Sequence, residues 1–209
     1  MPKQHVLYLG LTPPNGENIV HCPLIEIIPR DSLDVNLSVL DQMTHLIFTS
    51  KNGVKILFEK VATQLCESKI CVSVGSSTTK SLQERGMKNI ITASIETAEG
   101  VVQLLQKNHQ PEFFYFWGHA AKARPIIVEG LTQMRAKFLH CVLYDTIVRP
   151  PKTEIYLNDF AEIIFTSPST VEAFLQIFDS FPKRAKLTAI GPITSKFLKK
   201  KITELNGRE

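Results

Sequence analysis

Two stretches decide how this chain folds: Leu46-Ile47-Phe48-Thr49-Ser50-Lys51-Asn52-Gly53-Val54 and Ile163-Ile164-Phe165-Thr166-Ser167-Pro168-Ser169-Thr170-Val171. Each ends a short apolar run in Phe-Thr-Ser and then opens a segment of helical periodicity. The apolar run predicts a buried strand, and the hydroxyl-bearing turn predicts the start of a helix. Further on, Val74-Gly75-Ser76-Ser77-Thr78-Thr79-Lys80 parallels Ile190-Gly191-Pro192-Ile193-Thr194-Ser195-Lys196. The Thr-to-Gly separations are 26 residues from Thr49 to Gly75 and 25 from Thr166 to Gly191. Two copies of one strand-helix-strand-helix unit at an offset of about half the chain predict a duplicated domain.

Outward from these stretches the alternation continues. Strands are expected at Val6–Leu11, Leu24–Ile28, Leu46–Thr49, Ile70–Val74, Phe113–Trp117, Phe138–Leu143, Ile163–Thr166 and Leu187–Ile190. Helices are expected near 52–64, 77–85, 97–107, 122–134, 168–179 and 193–203. The fold class is α/β: two similar parallel-sheet domains covered by helices, with a cleft between them. Arg149-Pro150-Pro151 cannot be helical, and Leu24–Arg30 is a second extended run ending near Pro29. Prolines hold both segments extended, which marks them as the crossings between the domains. The first domain is then residues 1–30 plus 147–209, and the second is the insert 31–146.

Composition narrows the function. With 209 residues, 44% apolar and 21% charged, the chain reads as an ordinary globular protein. The net charge of +4 suits an acidic partner, but the basic runs Lys183-Arg184-Ala185-Lys186 and Lys199-Lys200-Lys201 have no interleaved aromatics on which bases would stack. Nucleic acid is not the expected partner. Cys22, Cys66, Cys71 and Cys141 form no CxxC pair, and His5, His21, His45, His109 and His140 lack metal-ligand spacing, so no metal is expected. No window predicts a membrane span, and Met1–Gly10 is too brief in its apolar run for a secretory signal, which argues against an exported solute-binding protein and for a cytoplasmic one. A first strand ending Leu9-Gly10-Leu11 lacks the acidic cluster of a phosphorylation receiver.

The ordered set Pro23-x-Ile25-x-Ile27, Ile47-Phe48-Thr49-Ser50-Lys51-Asn52-Gly53-Val54, Val74-Gly75-x-x-Thr78, Leu143-Tyr144-x-Thr146, Phe165-Thr166-Ser167-Pro168-Ser169 and Ile190-Gly191-Pro192-x-Thr194 resembles the uroporphyrinogen-III synthase family. Each piece alone is weak; their order and spacing over residues 23–200 are specific. The resemblance implies two doubly wound domains joined by a two-stranded linker, in a cofactor-free, monomeric enzyme that closes hydroxymethylbilane with loss of water. Departure of the terminal hydroxyl gives an azafulvene, the substituted carbon of ring D attacks, and a spiro intermediate rearranges to leave ring D inverted.

It also implies site residues. Tyr144 matches the family's cleft tyrosine, whose phenol donates to the departing hydroxyl. The bilane's eight carboxylates need donors, and helix N-termini supply them: Ser50, Lys51, Asn52 and Gly53; Gly75, Ser76 and Thr78; Ser167 and Ser169; Gly191 and Thr194. The plain alternative for Ser50, Thr78, Ser167, Ser169 and Thr194 is N-capping, and for Tyr144 an amphipathic residue at a domain edge. The family's glycine followed four residues later by arginine becomes Gly118 and Lys122 here, with Arg124-Pro125 beyond, so either Lys122 or Arg124 takes the anion-binding role. Phe114-Tyr115-Phe116-Trp117 reads as a buried strand more readily than as a wall for pyrroles, and His119 follows it. Thr12–Asn18, with two prolines and a glycine, is too short and broken for the helix the family carries there. That trimming leaves a second reading open, a catalytically degenerate binding module for an anionic ligand or partner protein.

Overall fold

The computed structural model describes residues 5–33 and 36–207. Among them are ten strands, β1 (His5–Tyr8), β2 (Ile19–His21), β3 (Ile25–Pro29), β4 (His45–Phe48), β5 (Ile70–Ser73), β6 (Ile90–Thr92), β7 (Phe114–Ala120), β8 (Lys137–Val148), β9 (Phe160–Phe165) and β10 (Lys186–Ala189). Six α-helices accompany them: α1 (Lys51–Lys60), α2 (Ser76–Glu84), α3 (Ala98–Asn108), α4 (Ile126–Gln133), α5 (Pro168–Phe178) and α6 (Pro192–Asn206). Contacts divide the chain into two compact units, one made of Met1–Glu26 and Thr146–Glu209, the other of Ile27–Asp145.

In the continuous unit the strands run β3-β8-β7-β4-β5-β6. All neighbours from β8 to β6 are parallel. Order reverses between β4 and β7, the switch point of a doubly wound sheet, beside which such sheets bind ligands at their carboxyl ends. Alternating side chains feed two apolar clusters. Leu46, Phe48, Phe116 and Leu143 meet Val54, Leu57 and Leu82 of α1 and α2. Ile47, Val72, Tyr115 and Trp117 meet Val101, Leu105, Ile127 and Leu131 of α3 and α4. Each such aliphatic or aromatic side chain, once buried, contributes about 1.5–3 kcal/mol. The aromatic run in β7 is thus a buried strand.

In the discontinuous unit the order is β10-β9-β1-β2, again all parallel. The two Phe-Thr-Ser strands, β4 and β9, hold equivalent places, each with its Gly-loop strand, β5 or β10, on one side. Leu7, Leu9, Ile163 and Phe165 share one cluster with Val171, Phe174 and Leu198 of α5 and α6. Residues that alternate to the other side of that sheet, Tyr8, Glu162, Ile164 and Thr188, are half-exposed. The reason is the link from β1 to β2: residues 9–18 hold bends and a turn but no helix. Pro13 and Pro14 lock φ and remove N–H donors there, so the crossing that would cover this face does not form.

β3 and β8 carry the chain from one unit to the other. Arg30 N donates to Leu143 O at 2.9 Å and Arg149 N to Leu24 O at 2.8 Å, so one strand ascends as its partner descends, an antiparallel ladder. Two strands, β2 and β6, were not expected; each has three residues, too few to show alternation. α4 begins at Ile126, short of the helix expected from residue 122, because Pro125 disfavours helical geometry in the residue before it.

Candidate active site

Ser50 caps α1: its Oγ accepts from Gly53 N at 3.0 Å. The same oxygen lies 2.8 Å from the Tyr144 hydroxyl, in a hydrogen bond that either group can donate. Gly53 makes this possible because it brings no side chain to compete for Ser50; a Cβ there would be in ordinary contact with the Gly118 carbonyl, at 3.4 Å.

Tyr144 reaches Ser50 through an irregularity in β8. Pairing with β7 is one to one from Phe114 and Lys137 to His119 and Val142, then skips, so that Ala120 faces Tyr144. The extra residue is a β-bulge, a device that re-aims side chains. It puts Tyr144 in the cluster of Cys141 and Leu143, whereas strict alternation would send it to the side of Val142. The tyrosine is 5% exposed, not an amphipathic residue at an edge. Burial pushes its phenol above the ordinary range, and the Ser50 hydrogen bond pulls it partly back. The group is a neutral O–H at physiological pH, fit to donate.

The other helix starts differ from one another. Ser167 caps α5 in a reciprocal box: its Oγ accepts from Thr170 N at 3.3 Å, and Thr170 Oγ1 accepts from Ser167 N at 3.2 Å. At α2 the cap is Gly75, and Ser76 N donates to Glu96 Oε1 at 2.8 Å. That bond holds the Glu96 carboxyl below its usual range, so an internal carboxylate already sits at this helix start. At α6 the cap is Gly191 at φ 81°, a left-handed geometry that suits glycine, followed by Pro192. No side chain caps it. Of the five hydroxyl residues for which capping was the plain alternative to ligand binding, Ser50 and Ser167 cap. Thr78 and Thr194 sit at the third helical position and are buried, and Ser169 is half-buried within the first turn of α5; these three do not cap, because the cap position belongs to an earlier residue.

Lys51 is exposed and Asn52 half-buried at the start of α1. Arg124 forks onto Glu99, Nη1 to Oε1 at 2.7 Å and Nη2 to Oε2 at 3.1 Å. Lys122 is exposed and in no ion pair found among the described residues. His119 stacks on Trp117 with centroids 4.1 Å apart. Its Nδ1–H donates to Ala120 O at 2.9 Å, which leaves Nε2 to accept from His140 Nδ1–H at 3.1 Å. Burial, chiefly, lowers its pKa. Sequence reasoning weighed His140 only as a metal ligand and missed Glu96, Glu99, Arg30 and Asp145; the last two form an ion pair from the residue after β3 to β8 that no local pattern announces. All four cysteines are buried, and burial raises the Cys66 thiol to about 11 and the Cys71 thiol to about 12. No group of three metal-ligating side chains and no helix long and apolar enough to cross a membrane occurs among the described residues.

Two helix-covered parallel sheets in one chain, with hydroxyl-bearing turns after corresponding strands and a buried phenol beside one of them, define a duplicated α/β protein. The chain belongs to the uroporphyrinogen-III synthase HemD family, which matches residues 13–204. It is 28% identical over 192 residues to the porphyrin biosynthesis protein HemD of Ruminiclostridium josui, a match covering 84% of this chain but 37% of that relative. The fold is that of uroporphyrinogen-III synthetase from Helicobacter pylori 26695, with a TM-score of 0.68, 20% identity and coverage of 95% of this chain and 89% of the other. A variant uroporphyrinogen III synthase of the extreme thermophile Thermus thermophilus is also similar, with a TM-score of 0.63, 16% identity, and 94% and 88% covered.

Proposed function

We propose that this protein closes hydroxymethylbilane to uroporphyrinogen III with loss of water and inversion of ring D, and that Tyr144 is its catalytic residue. Family membership over residues 13–204 supports the reaction, and the Tyr144–Ser50 hydrogen bond supports the residue. When Ser50 donates to the phenol oxygen, the tyrosine's own proton is free to point outward. It then donates to the terminal hydroxyl of the bilane as the pyrrole nitrogen expels that hydroxyl. The electron pair of the broken C–O bond leaves with oxygen, which departs as water. The proton that ring D loses on closure balances the one carried off. Elsewhere the protein contributes positioning, which fixes which carbon of ring D attacks.

The carboxylates of the bilane fall to Lys51, Asn52 and Gly53 at α1, Gly75, Ser76 and Thr78 at α2, Ser167 and Ser169 at α5, Gly191 and Thr194 at α6, and to Lys122 in preference to the Glu99-bound Arg124. α6 supports this best, since its first amides meet no capping side chain. The domain division 1–30 plus 147–209 and 31–146 belongs to the same proposal; the contact units, which part at Glu26 and Asp145, support it. A monomeric state and a cytoplasmic location belong to the proposal as well.

The test is to supply hydroxymethylbilane, oxidise the products and measure the ratio of III to I porphyrin. An excess of isomer III over a protein-free control is expected; an unchanged ratio would sink the proposal. The helix-free crossing from β1 to β2 favours the second reading, a binding module for an anionic ligand or partner protein. Binding of the bilane without a change in the isomer ratio would select it.

A further inference from the structure

The bulge that aims Tyr144 is held from outside the β7–β8 pair. On the β7 side, Ala121 N donates to Tyr144 O at 2.9 Å. On the β3 side a single residue acts twice. Arg30 N donates to Leu143 O at 2.9 Å, and the Arg30 guanidinium forks onto Asp145, Nε to Oδ2 at 2.7 Å and Nη2 to Oδ1 at 3.2 Å. Arg30 thus grips the residue before Tyr144 by its backbone and the residue after it by its side chain.

We propose that Arg30 and Asp145 are positioning residues for Tyr144, fixing the bulge so that the phenol stays on the Ser50 side of the sheet. The inference rests on the reading of Tyr144 given above. An extra residue in a strand leaves its backbone partly outside the ladder, and relaxation by one register step would carry Tyr144 to the opposite face. A bidentate fork resists that step because its two parallel bonds fix direction as well as distance. The two side chains are 37% and 39% exposed. An ion pair so exposed adds little stability, so its removal leaves the fold intact and acts on the geometry of the bulge. A lysine at position 30 keeps charge but cannot fork.

The experiment measures kcat, KM and the III-to-I ratio with hydroxymethylbilane for Arg30→Ala, Arg30→Lys, Asp145→Asn, Tyr144→Phe and the double variant Arg30→Ala/Tyr144→Phe, with thermal melts as the folding control. Arg30→Ala is expected to lower kcat about tenfold with KM changed less than about twofold, as misplacement of a catalytic group does. Arg30→Lys should recover little of it. Asp145→Asn, which keeps shape, should reproduce the loss and stands in if Arg30→Ala fails to fold. Because the pair acts through the phenol, the double variant should be no slower than Tyr144→Phe alone. Multiplying losses in the double variant, a loss confined to KM, or an unaltered kcat in both Arg30→Ala and Asp145→Asn would overturn the inference. Failure of the underlying reading looks different: Tyr144→Phe by itself would then be as active as the parent.

Discussion

The two Phe-Thr-Ser turns share one motif but differ in what their serines bond. In the discontinuous unit, Ser167 is closed off by Thr170, whose hydroxyl takes the Ser167 amide and donates to its carbonyl. Cap and partner satisfy one another, and the turn is a helix start complete in itself. In the continuous unit the equivalent third position is Gly53, so the box stays open and Ser50 turns its remaining capacity to Tyr144. A single side chain, threonine or none, separates a serine closed onto its own helix from one hydrogen-bonded to Tyr144. A polar group already paired within its own helix has less capacity left for another partner.

This contrast can be broken at several points. The largest effect is expected from Tyr144→Phe, which should slow formation of isomer III about 10- to 100-fold without abolishing it, because positioning outlasts the loss of one donor; steady-state turnover checks this. Ser50→Ala should follow with a loss of about tenfold, as the phenol loses the partner that fixes its proton, and with a drop of about 1 kcal/mol in stability from the lost cap. Next comes Gly53→Thr, which imports the closed box into the continuous unit. It should lower turnover about three- to fivefold by drawing Ser50 back to its own helix, while stability holds or rises in a denaturant melt, since the added contact with Gly118 O is ordinary packing. Ser167→Ala should lose the same ~1 kcal/mol of stability as Ser50→Ala, with the smallest change in turnover of the four. If both serines cost turnover equally, the two turns are not functionally distinct.

Much of the fold was legible because it rests on local signals. Strand-helix alternation, hydroxyls before helices and prolines in the connecting strands act within a few residues of themselves. What escaped the sequence depends on partners. β2 and β6 exist because a neighbouring strand offers a ladder, not because Ile19–His21 or Ile90–Thr92 insist on being strands. The site divides in the same way. Ser50 and Ser167 as caps follow from residue type and place. That Tyr144 faces Ser50 depends on a bulge whose register is set by β7 and β3, at positions far off in sequence. Glu96 at the α2 start and Glu99 on Arg124 were equally hidden, because a carboxylate that meets a cation or an amide through space carries no mark of it in the chain.

One consequence of the sheet order concerns birth rather than function. β1 pairs with β9, Val6 against Glu162 and Leu7 against Ile163, so β1 waits for a strand made about 150 residues later. At translation speeds of roughly 5–20 residues per second the wait is on the order of ten seconds. Over that time β1 holds one unpaired edge while the inserted unit, whose strands lie close in sequence, completes itself. The halves of this molecule therefore mature in the order opposite to that in which their first residues are made.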